Sequence, residues 1–443
     1  MKKVKYKEYE LPVTYDVDVL VVGGGPAGIG AALGAARNGA KTLVIEQFNC
    51  MGGVAGAGGH GHISKYDEQG TGRRIVGGIA YEVACELVKQ NFGHMNSHGV
   101  WFEVEGLKKI LEEMFEKAGV QFLYHTFFCD TIVEDGVATG AVIQNKTGRQ
   151  VVKAKRIIDC TGDGDVAFKA GCKYEVGRKK DQKCQPVTLM FTIGGVDWPT
   201  VEKWRTDYQM KGVWEEAQRN GDMRPFQKTV MGFWWTPTRP DQVGVNFTHI
   251  IYIDSTKAED LTAATVEGRK QAWECIPVFR KYVKGMENCY MVSTPNTVGI
   301  RESRRIIGEY VLNEDDVKGE REFEDNICYG SFFVDIHCID GAGMDHTVWR
   351  PGKGFKYHIP YRVLLPLGIE NLMTAGRCVS CTHIALGSIR VMVPCIGMGE
   401  AAGTASAMSI KQKISPREIN VGKLQSQLRK QGCIISEKDI VAK

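Results

Sequence analysis

The first ordered pattern in the chain is an apolar, mostly β-branched run, Val17-Asp18-Val19-Leu20-Val21-Val22, of the kind a buried parallel strand requires. It stops at Gly23-Gly24-Gly25-Pro26-Ala27-Gly28, which reads as a turn. An alanine-rich stretch then predicts a helix over 27–38 with Gly39 as its C-terminal cap. Thr42-Leu43-Val44-Ile45 predicts the next strand, ending at Glu46. After a glycine-rich loop (52–61), the pattern predicts helices over 79–90 and 104–117 and a strand over 120–124. Residues 139–152 predict a hairpin turning near Thr147-Gly148, and 157–159 a further strand running into Cys160-Thr161-Gly162-Asp163.

From 188 to 287 the texture changes. Alternating segments at 189–193 and 243–253 surround a helical stretch over 258–284. This block reads as a sheet-rich substrate or cap domain inserted into a discontinuous first domain, 1–187 and 288–443. The last third returns to α/β character and ends in a small-residue helix over 399–409. The predicted class is α/β, with a Rossmann-like domain and an inserted sheet-rich lobe.

Composition narrows the field. The chain holds 52 glycines without a triplet period, which excludes collagen, and 43% hydrophobic against 24% charged residues excludes disorder. A net charge of +4 from evenly spread residues gives no nucleic-acid footprint. No run of 18 apolar residues occurs, and Met1-Lys2-Lys3-Val4-Lys5 leads into acidic and aromatic residues rather than a signal core. A cytoplasmic protein without a membrane segment is the expectation. Fourteen cysteines are too sparse for a disulfide scaffold, and only Cys378-x-x-Cys381 has pair spacing, so no metal or cluster site is expected.

Gly23-x-Gly25-x-x-Gly28 sits between a predicted strand and helix, and Glu46 ends the following strand. That is the context a dinucleotide-binding motif needs. The first glycine permits the turn, the second lets backbone approach a pyrophosphate, and the third lets helix pack on strand. The helix N-terminus favours the anion, and Glu46 can accept from a ribose diol. Spacing alone does not separate FAD from NAD.

Further blocks settle on one cofactor by resemblance. Residues 18–28 with Ala35-Ala36-Arg37-Asn38-Gly39-Ala40, Gly52-Gly53, the segment 158–165, Gly299 to Arg305, and Asn371 to Arg377 with Thr382-His383 and residues 387–392 resemble the FAD-dependent oxidoreductases of the glutathione-reductase-like superfamily. Within it the chain is similar to a family related to fumarate reductase flavoproteins and heterodisulfide reductase flavin subunits. Gly56 stands where that family usually has threonine, and Pro394 falls one position late. The resemblance implies that Gly23, Gly25, Pro26, Ala27 and Gly28 hold the pyrophosphate of FAD, Glu46 and Gln47 the adenosine ribose, and Phe128 the adenine. It further implies that Gly52, Gly53 and Val54 run along the flavin and Cys160, Thr161 and Gly162 pass beneath the pyrophosphate. Gly376 and Arg377 would close over the ribityl chain, and a helix starting near Gly397, Met398 and Gly399 would point its N-terminus at the flavin N1–C2=O edge.

The catalytic candidates are His383 as acid/base, Arg390 and Arg301 as a carboxylate clamp, and Tyr357 beside the return strand, with His358, Arg362 and His337 as weaker ones. A backbone-bonded structural histidine and a buried salt bridge are the competing readings. His60 and His62 can tether the flavin covalently or contact substrate. Cys378 and Cys381 read as packing rather than a redox pair, and Trp234 and Trp235 as pocket lining or core. The W-x-W-x-I-P pattern of halogenases is absent. The expected activity is a dehydrogenase-type hydride transfer between a small organic substrate and flavin N5. The alternatives are a fumarate-reductase-like enoate C=C reductase and a flavin-bearing electron-transfer subunit. A homo-oligomer or a separate electron acceptor is left open.

Overall fold

The computed structural model describes residues 10–97, 99–206, 210–228 and 232–442; residues 1–5, which entered the cytoplasmic expectation, lie outside these. Val13–Val22 is the central strand of a mixed sheet. It pairs in parallel with Thr42–Ile45 on one side and Gly148–Asp159 on the other. Gln121–Leu123 extends the first side. The continuous apolar run follows from burial of both faces. Val19 and Val21 enter the core beneath the helices, and Leu20 and Val22 enter the core on the opposite side.

Gly148–Asp159 is one strand, not a hairpin arm followed by a separate strand as the pattern predicted. Its first half pairs antiparallel with Val137–Asn145, and its end pairs in parallel with Leu372–Thr374. Lys153 and Lys155 resemble a break, but they alternate outward while Val152 and Ala154 are buried.

The helix Pro26–Arg37 packs on Met392–Gln412, the most extensive contact between elements of the fold. The second helix begins at Met392, several residues before the predicted start near Gly397. Pro394 lies in its first turn, where a missing N–H costs nothing, so the proline does not delay the start.

The inserted region forms a four-stranded antiparallel sheet ordered Gly232–Thr236, Arg239–Asn246, Phe191–Gly194 and Tyr290–Ser293. The predicted strand over 243–253 therefore ends at Asn246, beyond which Ile250 makes an isolated bridge to Val187. Ala258–Tyr282 and two helices the pattern reading did not anticipate, Trp198–Thr206 and Met210–Arg219, cover this sheet around Trp214, Phe247 and Phe279. Among the described residues no single helix is long and apolar enough to cross a membrane.

Candidate active site

The glycine turn is built by close approaches that only hydrogen allows. Gly23 has φ +98°, and a Cβ there would stand 2.5 Å from the Cys160 carbonyl oxygen. Gly28 faces the Gly23 carbonyl in the same way. Gly25 differs: the nearest atom to a Cβ on it is the Gly53 Cα at 3.9 Å, so the space in front of it is open. This opening, at the N-terminus of a helix whose first residues are Pro26 and Ala27, fits a pyrophosphate. Gly52 donates its N–H to the Gly24 carbonyl, which docks the second glycine loop on the first.

Glu46 accepts from the N–H groups of Gly24 (2.7 Å) and Phe48 (2.9 Å), and burial pushes its carboxyl up from the ordinary value. Gln47 follows on the surface. Thr126 donates its N–H to the Glu46 carbonyl, which brings Phe128, two positions on, to the Glu46 edge of the sheet. Beneath the turn, Asp159 accepts from the Thr161 N–H and hydroxyl and from the Ala167 N–H. Burial nevertheless holds Asp159 up at about 6. Arg377 binds Asp163 (2.9 Å) and Ser303 and lies over Gly162, while Gly376, at φ +92°, faces Ala27. Cys160, Thr161, Gly162, Gly376 and Arg377 therefore meet around the start of the Pro26–Arg37 helix.

A cavity of about 590 Å³ lies between the two lobes. Val54, His60 and His62 line it from the glycine loop, and Val391 and Met392 from the start of the C-terminal helix. Trp101, Met190, Phe233 and Trp234 supply apolar walls, and Phe332, Phe333, Asp335 and His337 come from one extended segment. Trp234 stacks on His60 with ring centroids 4.6 Å apart, so it lines the cavity and is also core. Arg301 and Arg390 both reach the cavity. Arg390 is paired with Asp335 (2.8 Å), whose other oxygen lies 3.5 Å from His337 Nε2. Arg301 donates to the Pro186 carbonyl (2.7 Å) and has no carboxylate within ion-pair distance among the described residues. Burial, then the charge of Arg301, pulls His337 down to about 3; burial, then His62, does the same to His60. Both rings are neutral at ordinary pH.

Two sequence candidates fall elsewhere. His383 does not line the cavity. Its Nδ1 donates to Glu302 at 2.8 Å, and Glu302 also binds Arg305 and the Gln185 N–H, so this histidine is part of a buried network. Tyr357 is also absent from the lining: its hydroxyl meets Ser388 (2.7 Å) in the core, and burial pushes the phenol up. His358 bonds to Phe323 backbone and Arg362 to Asp325.

Gly397, Met398 and Gly399 are interior helix residues, not its N-terminus. A Cβ on Gly399 would stand 1.9 Å from the Ala27 carbonyl oxygen, so its lack of a side chain serves helix packing. The first-turn N–H groups belong to Met392 and Val393, and Val391 at the N-cap makes no side-chain hydrogen bond to them. Gly56 has no room for a side chain, since a Cβ there would approach the Met51 carbonyl oxygen to 2.2 Å. Cys378 and Cys381 are free, buried thiols.

The sequence reading overlooked Asp335 and the two phenylalanines before it. The signal was present in Phe333-x-Asp335-x-His337. Alternate residues of an extended segment share one face, and Val334 and Ile336 between them are buried on the other.

A glycine cradle at the end of a parallel sheet, with an inserted lobe closing a cavity beside it, defines an α/β enzyme that uses a dinucleotide cofactor. The chain belongs to the FAD dependent oxidoreductase family, which it matches over residues 18–428. FAD is its cofactor, and the open space before Gly25 with Glu46 beside it fits that group. Over 156 residues the chain is 31% identical to thiamine thiazole synthase of Aeropyrum pernix, an alignment covering 33% of this chain and 54% of that protein. It is 29% identical over 174 residues to digeranylgeranylglycerophospholipid reductase of Thermoplasma volcanium, covering 37% of this chain and 44% of that one. The chain spans about half the length of these curated relatives. Among solved structures, a geranylgeranyl bacteriochlorophyll reductase-like protein of Thermoplasma acidophilum aligns with a TM-score of 0.47 and 16% identity, over 94% of this chain and 84% of that one.

Proposed function

We propose that the chain transfers a hydride between FAD, held in the glycine cradle, and a small organic substrate held in the cavity between the lobes. One observation supports this most. Val54 lines the cavity, and its neighbour Gly53 touches Gly25, so cradle and cavity share one loop. Bound FAD supplies the hydride-accepting or hydride-donating centre, two electrons and one proton. The helix that begins at Met392, a residue of the cavity wall, has no side-chain cap, and its N-terminus favours negative charge there. Trp101, Trp234, Phe332 and Phe333 exclude water and flank a flat substrate. His60 and His337, both neutral, are the groups placed to take the partner proton as the C–H bond breaks. Run in reverse, reduction of an activated C=C bond needs one of these rings to take up a proton from solvent first and then pass it to the substrate.

The test is anaerobic. Holoenzyme is mixed without oxygen with hydroxy acids, amines and alcohols, and dithionite-reduced holoenzyme with enoates. Bleaching of the yellow absorbance by a C–H donor, or its return with an enoate, is the expected result. A chain that binds FAD stoichiometrically yet exchanges hydride with neither set is not this kind of enzyme.

A further inference from the structure

Among the described residues lining the cavity, Arg205, Lys228, Arg301 and Arg390 are cationic and Asp335 is the one carboxylate. The cations are not equivalent. Arg205 donates to the Phe233 carbonyl and lies near the Trp198 and Trp101 rings, and Lys228 is exposed. Arg390 takes up the charge of Asp335, and His337 occupies the other carboxylate oxygen. Arg301 is 6% exposed and, among the described residues, is left with a single backbone carbonyl. Burial, then the neighbouring Arg390, draws its pKa down to about 9, against the opposing charge of Asp335. A guanidinium keeps its proton in proteins, and an unpaired charge in a water-poor site is costly. The remaining N–H groups of Arg301 have no protein acceptor among the described residues, and an anionic acceptor in the cavity would both satisfy them and balance the charge.

We propose that Arg301 seats a carboxylate of the substrate, and that the substrate is an organic acid whose flat apolar body lies between the aromatic walls. This refines the sequence expectation of a two-arginine clamp. Arg390 is already neutralised and acts through Asp335, so it positions, while Arg301 binds. The inference rests on the hydride-transfer reading for what happens next, but the anion site stands or falls by itself. The guanidinium fork suits a planar carboxylate. Trp234, Trp101 and the stacked Phe332–Phe333 pair suit a ring or conjugated chain.

The test uses oxidised FAD holoenzyme and benzoate, with benzamide as the uncharged control, read by fluorescence of the cavity tryptophans and by the flavin absorbance. Benzoate is expected to bind saturably and benzamide at least 10-fold more weakly. Arg301→Leu is expected to weaken benzoate about 10- to 100-fold while leaving benzamide unchanged, and Arg301→Lys to restore part of the loss. Thermal unfolding of the FAD-loaded variants controls for folding, and Arg301→Gln serves if the leucine variant unfolds. Equal benzoate affinity in wild type and Arg301 variants overturns the proposal. So does a lowered flavin potential with unchanged benzoate affinity, because the counter-charge for Arg301 would then be the reduced flavin. Loss of FAD binding by the wild-type chain would sink the hydride-transfer reading instead. Hydride exchange with neutral substrates alone would leave that reading intact and remove the organic acid.

Discussion

An alanine methyl added at Gly28 would stand 1.9 Å from the Gly23 carbonyl oxygen, whereas one at Gly25 would meet nothing closer than 3.9 Å. Gly25 also has φ −70°, which any residue adopts. The two glycines of one motif therefore serve different ends: Gly28 lets the protein close on itself, and Gly25 keeps room for the cofactor. Gly25→Ala is expected to melt within about 2 °C of the FAD-free wild type but to lose most of its flavin absorbance. Gly28→Ala is expected to lose about 1–3 kcal/mol of stability through overpacking. Full flavin content in Gly25→Ala would place the pyrophosphate elsewhere. The cradle was legible because its requirements are local, carried by neighbours in sequence. The surroundings of the acid/base candidate were not: His383 is engaged by Glu302, 81 positions away, and no local pattern announces that pairing. Arg390 and Asp335 are 55 positions apart, so the arginines were legible as residues and the pairing of one of them with a carboxylate was not.

Elements were read well where a period ran uninterrupted and less well where an exception was tolerated. The opening strand and first helix follow their patterns to within a few positions. The C-terminal helix did not, because Pro394 sits in the one turn that accepts proline. Its glycines acquire their meaning from the partner helix. Gly30 and Gly34 on Pro26–Arg37 face the backbone of Ile396 and Glu400, and Gly399 and Gly403 face Ala27 and Ala31. The two helices thus meet backbone to backbone at four glycines. Gly403→Ala puts a methyl 2.1 Å from the Ala31 carbonyl oxygen and must push the helices apart. A loss of about 1–3 kcal/mol in denaturant unfolding is expected, with flavin affinity falling because Pro26 and Ala27 move with their helix. A variant with unchanged stability would mean the crossing is looser than its geometry. Of the inserted lobe's two extra helices, Met210–Arg219 had a readable signal in Val213, Trp214 and Ala217 at helical spacing, all buried in the lobe's core.

At the scale of the whole molecule, the cavity exists because the inserted lobe lies against the cofactor domain, and Arg301 charges the junction. That charge reaches histidines on both sides. His249 of the inserted region is pulled down to about 4, by burial first and Arg301 second, although its ring also faces the carbonyls of Cys338 and Gly341. Gln227 and the His337 ring complete its surroundings. Because the folded value lies below the ordinary 6.5, the unfolded chain takes up a proton between about pH 6.5 and pH 4 that the folded chain refuses. Stability from this group is therefore intact at pH 7 and declines as pH falls through that window, by about 1.4 kcal/mol per unit and about 3 kcal/mol in all. Asp159, Glu46 and Glu400 are raised by burial and act in the opposite sense, so the acid limb of the wild-type curve mixes both signs. The difference between wild type and His249→Gln separates them. Its unfolding free energy relative to wild type is expected to rise steadily from pH 7 to pH 4.5. Introducing Arg301→Leu into both proteins is expected to shrink that pH-dependent difference, since one cause of the depressed histidine is then gone. A difference that does not vary with pH would show that His249 titrates alike folded and unfolded, and that the junction is wetter and less charged than its side chains imply.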